Sequence, residues 1–184
     1  FGLHPSYDAG ILDAVGADAL DAISVLTLRA DALPAELTAA DMAIGLHLDD
    51  RGTLDRADVE RQLDRLAELV GRRPDYVDGH HHCHAEPGID LVVAELAASR
   101  DLAVRSVDDR HRELLRERGV RTPDRLIGRY EESRPAIPSE LRELGEGWTE
   151  WMTHPGPAGS PRPVELRRGA RGGPRGPAGP TPPR

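Results

Sequence analysis

The sequence predicts an α/β fold with a parallel sheet, either open or closed into a barrel. Short apolar runs of strand length alternate with longer helical patterns along most of the chain. The spacing between runs leaves room for a helix after most strands, which is typical of βαβ units. The chain has 184 residues, enough for one domain with a sizeable core.

The predicted elements follow one another in chain order. Helical patterns cover residues 5–15, 54–69, 87–100, 109–118 and 139–144. Strand-like runs cover residues 22–28, 42–47, 75–79, 102–104 and 147–153. In parallel sheets, ligands bind beyond the carboxyl ends of the strands, so polar residues at those positions are the first candidates for a site.

Composition limits the classes of function. The formal net charge is −8 and all 24 basic residues are Arg, interleaved with acids, which argues against a nucleic-acid partner. One Cys excludes an internal disulfide, and the absence of Lys excludes a lysine base or Schiff base. No apolar run reaches membrane-spanning length and no signal peptide is visible, so we expect a cytoplasmic protein with no membrane partner.

Two segments are predicted from composition. We expect one domain over residues 1–156, and a disordered tail over residues 157–184, where Gly, Pro and Arg dominate and little can be buried. The chain does not start with Met, so we expect Phe1 to be a cut or processed end with the first strand of the domain truncated.

The segment DGHHHCH, residues 78–84, is the densest group of metal-ligand side chains. On an extended backbone, Asp78, His80, His82 and His84 would share one face. Imidazole and carboxylate together suit a divalent ion such as Zn, Mg, Mn, Ni or Co. Asp78 could instead orient a histidine, and an exposed polar loop is the alternative to a metal site. Cys83 is predicted to be a small buried residue.

Two further histidines and an arginine come at predicted strand ends. His47 closes an apolar run and His154 follows another, so both would reach the same rim as His80. His154 could serve as a general acid or base, because a free imidazole titrates near neutrality. Arg105 could clamp an anion or hold a carboxylate. The alternatives are ordinary strand-end and turn histidines and a surface arginine.

Six segments in this order resemble the YdjC-like carbohydrate deacetylase family, of the chitooligosaccharide deacetylase and hopanoid-biosynthesis-associated type. They are FGLHPSYDAGILDA, AIGLHLD, RRPDYVDGHHHCHAEPGI, LAVRS, RTPDRLIGRY and GWTEWMTHPG. The histidine signature together with the HPG segment is a specific combination. Tyr76 departs from the family pattern, which usually has His at that position, and the loop after AIGLHLD is shorter than in most members.

The resemblance implies a distorted (β/α) barrel related to the NodB-type polysaccharide deacetylases. It implies removal of the acetyl group from an N-acetylated sugar, with one divalent ion, Mg or Zn, in the site. The family holds this ion with an Asp of its opening motif, which would precede Phe1, and with two histidines that match His47 and His80. Members of the family often form homodimers.

The remaining site residues also follow from matching motif positions. His154 matches the histidine of the HPG segment, and we count it and Asp78 as candidate catalytic residues. His82, His84 and Arg105 are candidates for binding substrate or shaping the site. Two alternatives stay open: another metallohydrolase of amidohydrolase or phosphoesterase type, and a relative that binds metal or carbohydrate without catalysis.

Overall fold

A four-stranded parallel sheet forms the centre of the protein in the computed structural model, which describes residues 5–52, 54–128 and 144–154. The sheet order follows the chain order. Its strands are β1 (Ala22–Val25), β2 (Ala43–Leu48), β3 (Tyr76–Gly79) and β4 (Ala103–Val104). Each strand is apolar enough to be buried, and parallel strands need a crossover between them, which the helices supply.

Five α-helices connect the strands and cover the sheet. They are α1 (Pro5–Gly16), α2 (Ala35–Ala39), α3 (Arg56–Val70), α4 (Ile89–Arg100) and α5 (Asp109–Glu117). Helix α3 begins at a capping box formed by Asp55 and Asp58 and ends at Gly71, which adopts the left-handed conformation. Its predicted apolar stripe is buried at Val59, Leu63 and Leu66 against the sheet.

A second, two-stranded parallel sheet pairs β5 (Arg125–Ile127) with β6 (Thr149–Trp151). A single parallel bridge joins Ala103 of β4 to Arg121, just before β5. The parallel α/β architecture is therefore confirmed. The described strands form two sheets, so closure into a barrel stays a proposal.

Most predicted elements are present, with shifted ends. The strand expected over 22–28 ends at Val25, because Thr27–Arg29 form a 3-10 turn. Helix α2 and strand β5 were not predicted, since each is too short to show a periodic pattern. All but the last residue of the helix expected over 139–144, and the tail over 157–184, lie outside the described residues. None of the helices in the described ranges is long and apolar enough to cross a membrane.

The strand register places polar residues in two rows on one face of the sheet. Ser24, Gly45 and Tyr76 are aligned across β1, β2 and β3. His47 and Asp78 are aligned two residues further along β2 and β3, and therefore lie on the same face. Arg105 directly follows the aligned pair Val77–Val104 and extends this second row. The register thus brings three distant segments of the sequence to one place.

Candidate active site

Asp78 lies at the centre of the site and is almost completely buried. Its Oδ1 accepts a hydrogen bond from His47 Nδ1 at 2.7 Å. Its Oδ2 accepts from Ser24 Oγ at 2.7 Å and pairs with Arg105 Nη2 at 2.8 Å. Burial opposes ionisation, but the Arg105 and His47 charges hold the pKa of Asp78 well below its usual range. Asp78 is therefore an ionised acceptor whose two oxygens are both engaged by protein donors.

Asp78 determines the tautomer of His47. An ionised carboxylate can only accept, so His47 must carry its proton on Nδ1 and its Nε2 becomes the nitrogen that can bind a ligand. The His47 side chain is 20% exposed, enough to be reached from solvent. The ring of His80 lies edge-on to it, with centroids 5.6 Å apart. Two imidazoles thus face each other at the carboxyl ends of β2 and β3.

The single extended face expected for residues 78, 80, 82 and 84 was a wrong prediction. Strand β3 ends at Gly79, and His80–Ala85 form a 3-10 segment with positive φ at His81 (51°) and His82 (60°). Alternation of side chains holds only for extended backbone, so these histidines point in different directions. His80 alone stays beside His47. Burial, then the neighbouring His81 and His47 charges, lower the pKa of His80 to about 4, which keeps it neutral.

His84 belongs to the core of the protein. Its ring is fully buried, and Nε2 lies 3.0 Å from the carbonyl oxygen of Arg105. Burial lowers the pKa of His84 to about 3, so the ring is neutral at physiological pH. It packs 5.5 Å from the buried ring of His111 and 6.2 Å from the ring of half-buried His82. His84 therefore supports the site from below and does not reach a substrate.

Cys83 is buried, as predicted for a small core residue. Its Sγ donates to the carbonyl oxygen of Leu48 at 3.2 Å. Burial, then the charge of Asp50, raise the pKa of the thiol to about 12. The thiol is thus protonated at neutral pH and unsuited to hold a metal ion.

Arg105 connects the two sheets. Its side chain is 7% exposed and pairs with Asp78 on one side and with Glu150 of β6 on the other, where Nε donates to Glu150 Oε1 at 2.6 Å. Burial opposes the charge, but the two carboxylates raise the pKa of Arg105 above its usual value. Arg105 is therefore a buried ion-pair residue, and the surface-arginine alternative is wrong.

His154 lies three residues beyond the end of β6, the strand that carries Glu150. The residue as a whole is exposed, whereas its ring is partly desolvated. That desolvation, then the charges of His47 and Arg105, lower the pKa of His154. His154 is therefore within the electrostatic influence of His47 and Arg105.

Four residues of this region were not predicted, namely Ser24, Tyr76, Glu150 and Asp49. Ser24 is the one polar residue of β1, whereas Tyr76 shares β3 with Asp78 and Glu150 shares β6 with Thr149. A polar residue within a strand was the only signal available for these three in the sequence. Asp49 directly follows strand β2, a position where a polar residue usually lies in an exposed loop. It is buried instead, and its carboxylate accepts two hydrogen bonds from Arg29 at 3.2 Å each.

The described side chains provide two candidate metal ligands, His47 and His80. Across residues 5–52, 54–128 and 144–154, no group of three or more His, Cys, Asp and Glu side chains is arranged to hold a metal ion. Two imidazoles that share one ion at about 2.0–2.1 Å from nitrogen to metal have ring centroids roughly 5–6 Å apart. The observed 5.6 Å fits such a two-histidine half-site.

Curated relatives match parts of the chain. A chitooligosaccharide deacetylase of Enterobacter sp. (strain 638) is 40% identical over 60 residues, which cover 30% of this chain and 24% of that protein. A chitooligosaccharide deacetylase of Proteus mirabilis is 33% identical over 109 residues, covering 54% of this chain and 42% of that protein. A carbohydrate deacetylase of Mus musculus is 43% identical over 65 residues, covering 35% and 19%. The matched stretches thus cover less than half of each relative.

A solved structure shares the fold. A proposed cellobiose-phosphate cleavage protein of Enterococcus faecalis V583 superposes with a TM-score of 0.64 at 23% identity, covering 85% of this chain and 78% of that chain. The family model for YdjC-like protein matches residues 55–171, which is more than half of the sequence. That range contains Asp78, His80, Arg105 and His154, while His47 precedes it. The chain belongs to the YdjC-like protein family.

Proposed function

We propose that this chain carries the site of a carbohydrate N-deacetylase, which hydrolyses the C–N amide bond of an N-acetylated sugar. The observation that carries the proposal is the pair of facing imidazoles, His47 and His80, with His47 held by buried Asp78. Membership of the YdjC-like family and relatives named chitooligosaccharide and carbohydrate deacetylase support the choice of reaction.

His47 and His80 are the residues that would hold a divalent ion, Mg or Zn, with the remaining ligands supplied by other groups. A carboxylate that orients a histidine through Nδ1 is a common support for a metal-binding imidazole. His80 is neutral at physiological pH because of its lowered pKa, and a neutral imidazole is the form that binds metal. When bound, such an ion polarises a carbonyl and lowers the pKa of water.

The protein's own residues have separate tasks in the reaction. Asp78 is saturated by His47, Ser24 and Arg105, so its task is to orient His47 rather than to exchange protons with the substrate. His154 is neutral at physiological pH because of its lowered pKa, so it can accept a proton and pass it to the leaving amine. Water adds to the acetyl carbon, the C–N bond breaks, and acetate and the sugar amine leave.

The fold proposal goes one step beyond the two described sheets. We propose that the parallel strands curve into the distorted barrel that the family resemblance implies. The bridge between Ala103 and Arg121 supports this, because it continues the hydrogen bonding of β4 toward the segment that enters β5. The Arg105–Glu150 pair joins the two sheets at the same end.

Acetate release from diacetylchitobiose, with metal content measured in parallel, tests the function. The assay uses this chain and a form that carries the family's Asp-Asp opening segment ahead of Phe1, each with and without a chelator. His80→Ala should abolish tight metal binding and turnover. His81→Ala is the comparison variant: it removes the exposed histidine whose ring packs 4.0 Å from that of His80 but leaves both candidate ligands in place, so it should lose much less activity than His80→Ala.

Two outcomes would contradict the proposal. Full deacetylase activity in His80→Ala would remove His80 from the site. Metal binding without acetate release from any N-acetylated sugar would leave a binding protein in place of a deacetylase.

A further inference from the structure

Gly45 lies in strand β2 and has no side chain, so a side chain from a neighbouring strand can cross β2 at this position. Gly45 is aligned with Ser24 on one side and Tyr76 on the other. A Cβ at Gly45 would lie 2.4 Å from Cε2 and Cζ of the Tyr76 ring, which no real contact allows. The Tyr76 ring therefore lies over Gly45, and its hydroxyl reaches across β2 to within 2.9 Å of Ser24 Oγ.

The direction of the hydrogen bonds is determined by Asp78. Ser24 Oγ donates to Asp78 Oδ2 at 2.7 Å, so the only hydroxyl hydrogen of Ser24 is used there. The Tyr76 hydroxyl must then donate to Ser24. Burial, then the charge of Asp78, raise the pKa of Tyr76, so the phenol keeps the proton that it donates. The hydrogen-bond chain runs from Tyr76 through Ser24 to Asp78.

We propose that Ser24 and Tyr76 are positioning residues of the site. They hold the Asp78 carboxylate in the orientation that keeps the proton of His47 on Nδ1 and leaves Nε2 toward the ligand. The hydrogen bonds from Tyr76 through Ser24 to Asp78 exist whatever reaction the protein catalyses. Their effect on metal binding and turnover rests on the proposed function. Without the Ser24 hydroxyl, Oδ2 of Asp78 would be held by Arg105 alone, whose guanidinium is shared with Glu150.

The main test is the tautomer of His47, measured by ¹⁵N nuclear magnetic resonance of histidine-labelled, metal-free protein at neutral pH. The wild-type chain should show His47 protonated at Nδ1. Ser24→Ala should give a mixture of tautomers, and Tyr76→Phe a smaller change in the same direction, because Tyr76 acts through Ser24. For the same reason the double variant should resemble Ser24→Ala rather than the sum of the two.

The controls separate positioning from folding. Ser24→Thr restores a hydroxyl and should restore the Nδ1 tautomer. Ser106→Ala removes a hydroxyl that is more deeply buried than that of half-buried Ser24. The Ser106 hydroxyl donates to the Pro123 carbonyl at 3.0 Å and not to Asp78, so its loss should leave the His47 tautomer unchanged. Tyr76→Phe keeps the ring over Gly45, so it remains informative if Ser24→Ala fails to fold.

Zn²⁺ affinity, measured by calorimetry on the same proteins, gives the consequence for binding. Loss of a residue that supports a metal-binding histidine typically weakens metal binding by about 10- to 100-fold, and we expect Ser24→Ala at the lower end of that range. An unchanged His47 tautomer in both Ser24→Ala and Tyr76→Phe would overturn the proposal. If the variants change the tautomer but the unsubstituted protein releases no acetate, the proposed function is overturned and the positioning role is supported.

Discussion

Strand β3 and the segment that follows it carry consecutive parts of one histidine-rich signature, and the two parts follow different rules. In β3 the backbone is extended, so Asp78 lies beside His47 in register and on the same face as Tyr76. Beyond Gly79 the chain turns through two left-handed residues, and alternation is lost. A spacing of two residues therefore predicts which side chains share a face only as long as the backbone stays extended.

The largest loss of stability is expected from a substitution at Asp78, the buried charged residue of strand β3. Asp78→Asn keeps the shape of the side chain but removes the ionised partner of buried Arg105. Removing one partner of a buried ion pair costs about 3–5 kcal/mol, and we expect a loss of about 3 kcal/mol because Glu150 still pairs with Arg105. Urea unfolding measures it. Asp90→Asn is the control, since buried Asp90 forms its ion pair with the exposed side chain of Arg110 and otherwise accepts from the backbone N–H groups of Gly88 and Leu91. Equal losses would contradict a special role for Asp78.

The junction between strand and turn should be next most sensitive. A Cβ on Gly79 would lie 2.8 Å from His84 Nδ1 and 2.9 Å from the His84 backbone nitrogen. Because the backbone of the turn must shift to relieve this contact, Gly79→Ala should cost about 1–3 kcal/mol in thermal or urea unfolding. Gly16→Ala is the matched control, because a Cβ there meets nothing within 4 Å. An unchanged stability in Gly79→Ala would show that the turn can shift at no cost to make room for the added methyl group.

Acid should weaken the turn through His84. Its pKa is about 3 in the folded protein and about 6.5 when unfolded, so the unfolded chain binds the proton more tightly. Stability from this group is complete above pH 6.5 and falls as pH drops toward 3, by up to about 1.4 kcal/mol per pH unit. Urea unfolding at several pH values should show a shallower dependence in His84→Gln. The same slope in His84→Gln and in the wild-type protein would contradict the assignment.

The smallest effect is expected on the exposed side of the same turn. His81→Ala should change stability by no more than about 0.5 kcal/mol, because His81 is exposed and loses only its contact with the ring of half-buried His80. Thermal unfolding checks this against His84→Ala, which empties a fully buried position and should cost several times more. Similar losses of stability in the two variants would mean that the difference in burial between His81 and His84 does not determine their contribution to stability.

Much of the fold followed from periodicity. The stripe of α3, the helix α4 and the strands β2 and β3 were predictable, because an apolar face repeats at 3.6 residues in a helix and a buried strand is a short apolar run. The histidine-bearing strand ends were predictable for the same reason. The short elements α2 and β5 were not, since three to five residues cannot display a period.

The partners of the site residues were beyond sequence reasoning. Ser24 and Glu150 lie 54 and 45 residues away from the side chains that they bind, and no local pattern in their strands points to those partners. Only the register of parallel strands brings such residues together. The fate of His84 also needed the structure, because two positive φ angles turn it inward.

The sequence by itself determined the α/β class, the order of the main strands and helices, and the set of histidines at strand ends, because hydrophobic periodicity and residue chemistry are local properties. Tertiary structure decided which of those histidines face each other, that Asp78 orients rather than lines the site, and that Arg105 joins two sheets. Those outcomes depend on strand register and on the burial of charge, which exist only once distant segments have packed together.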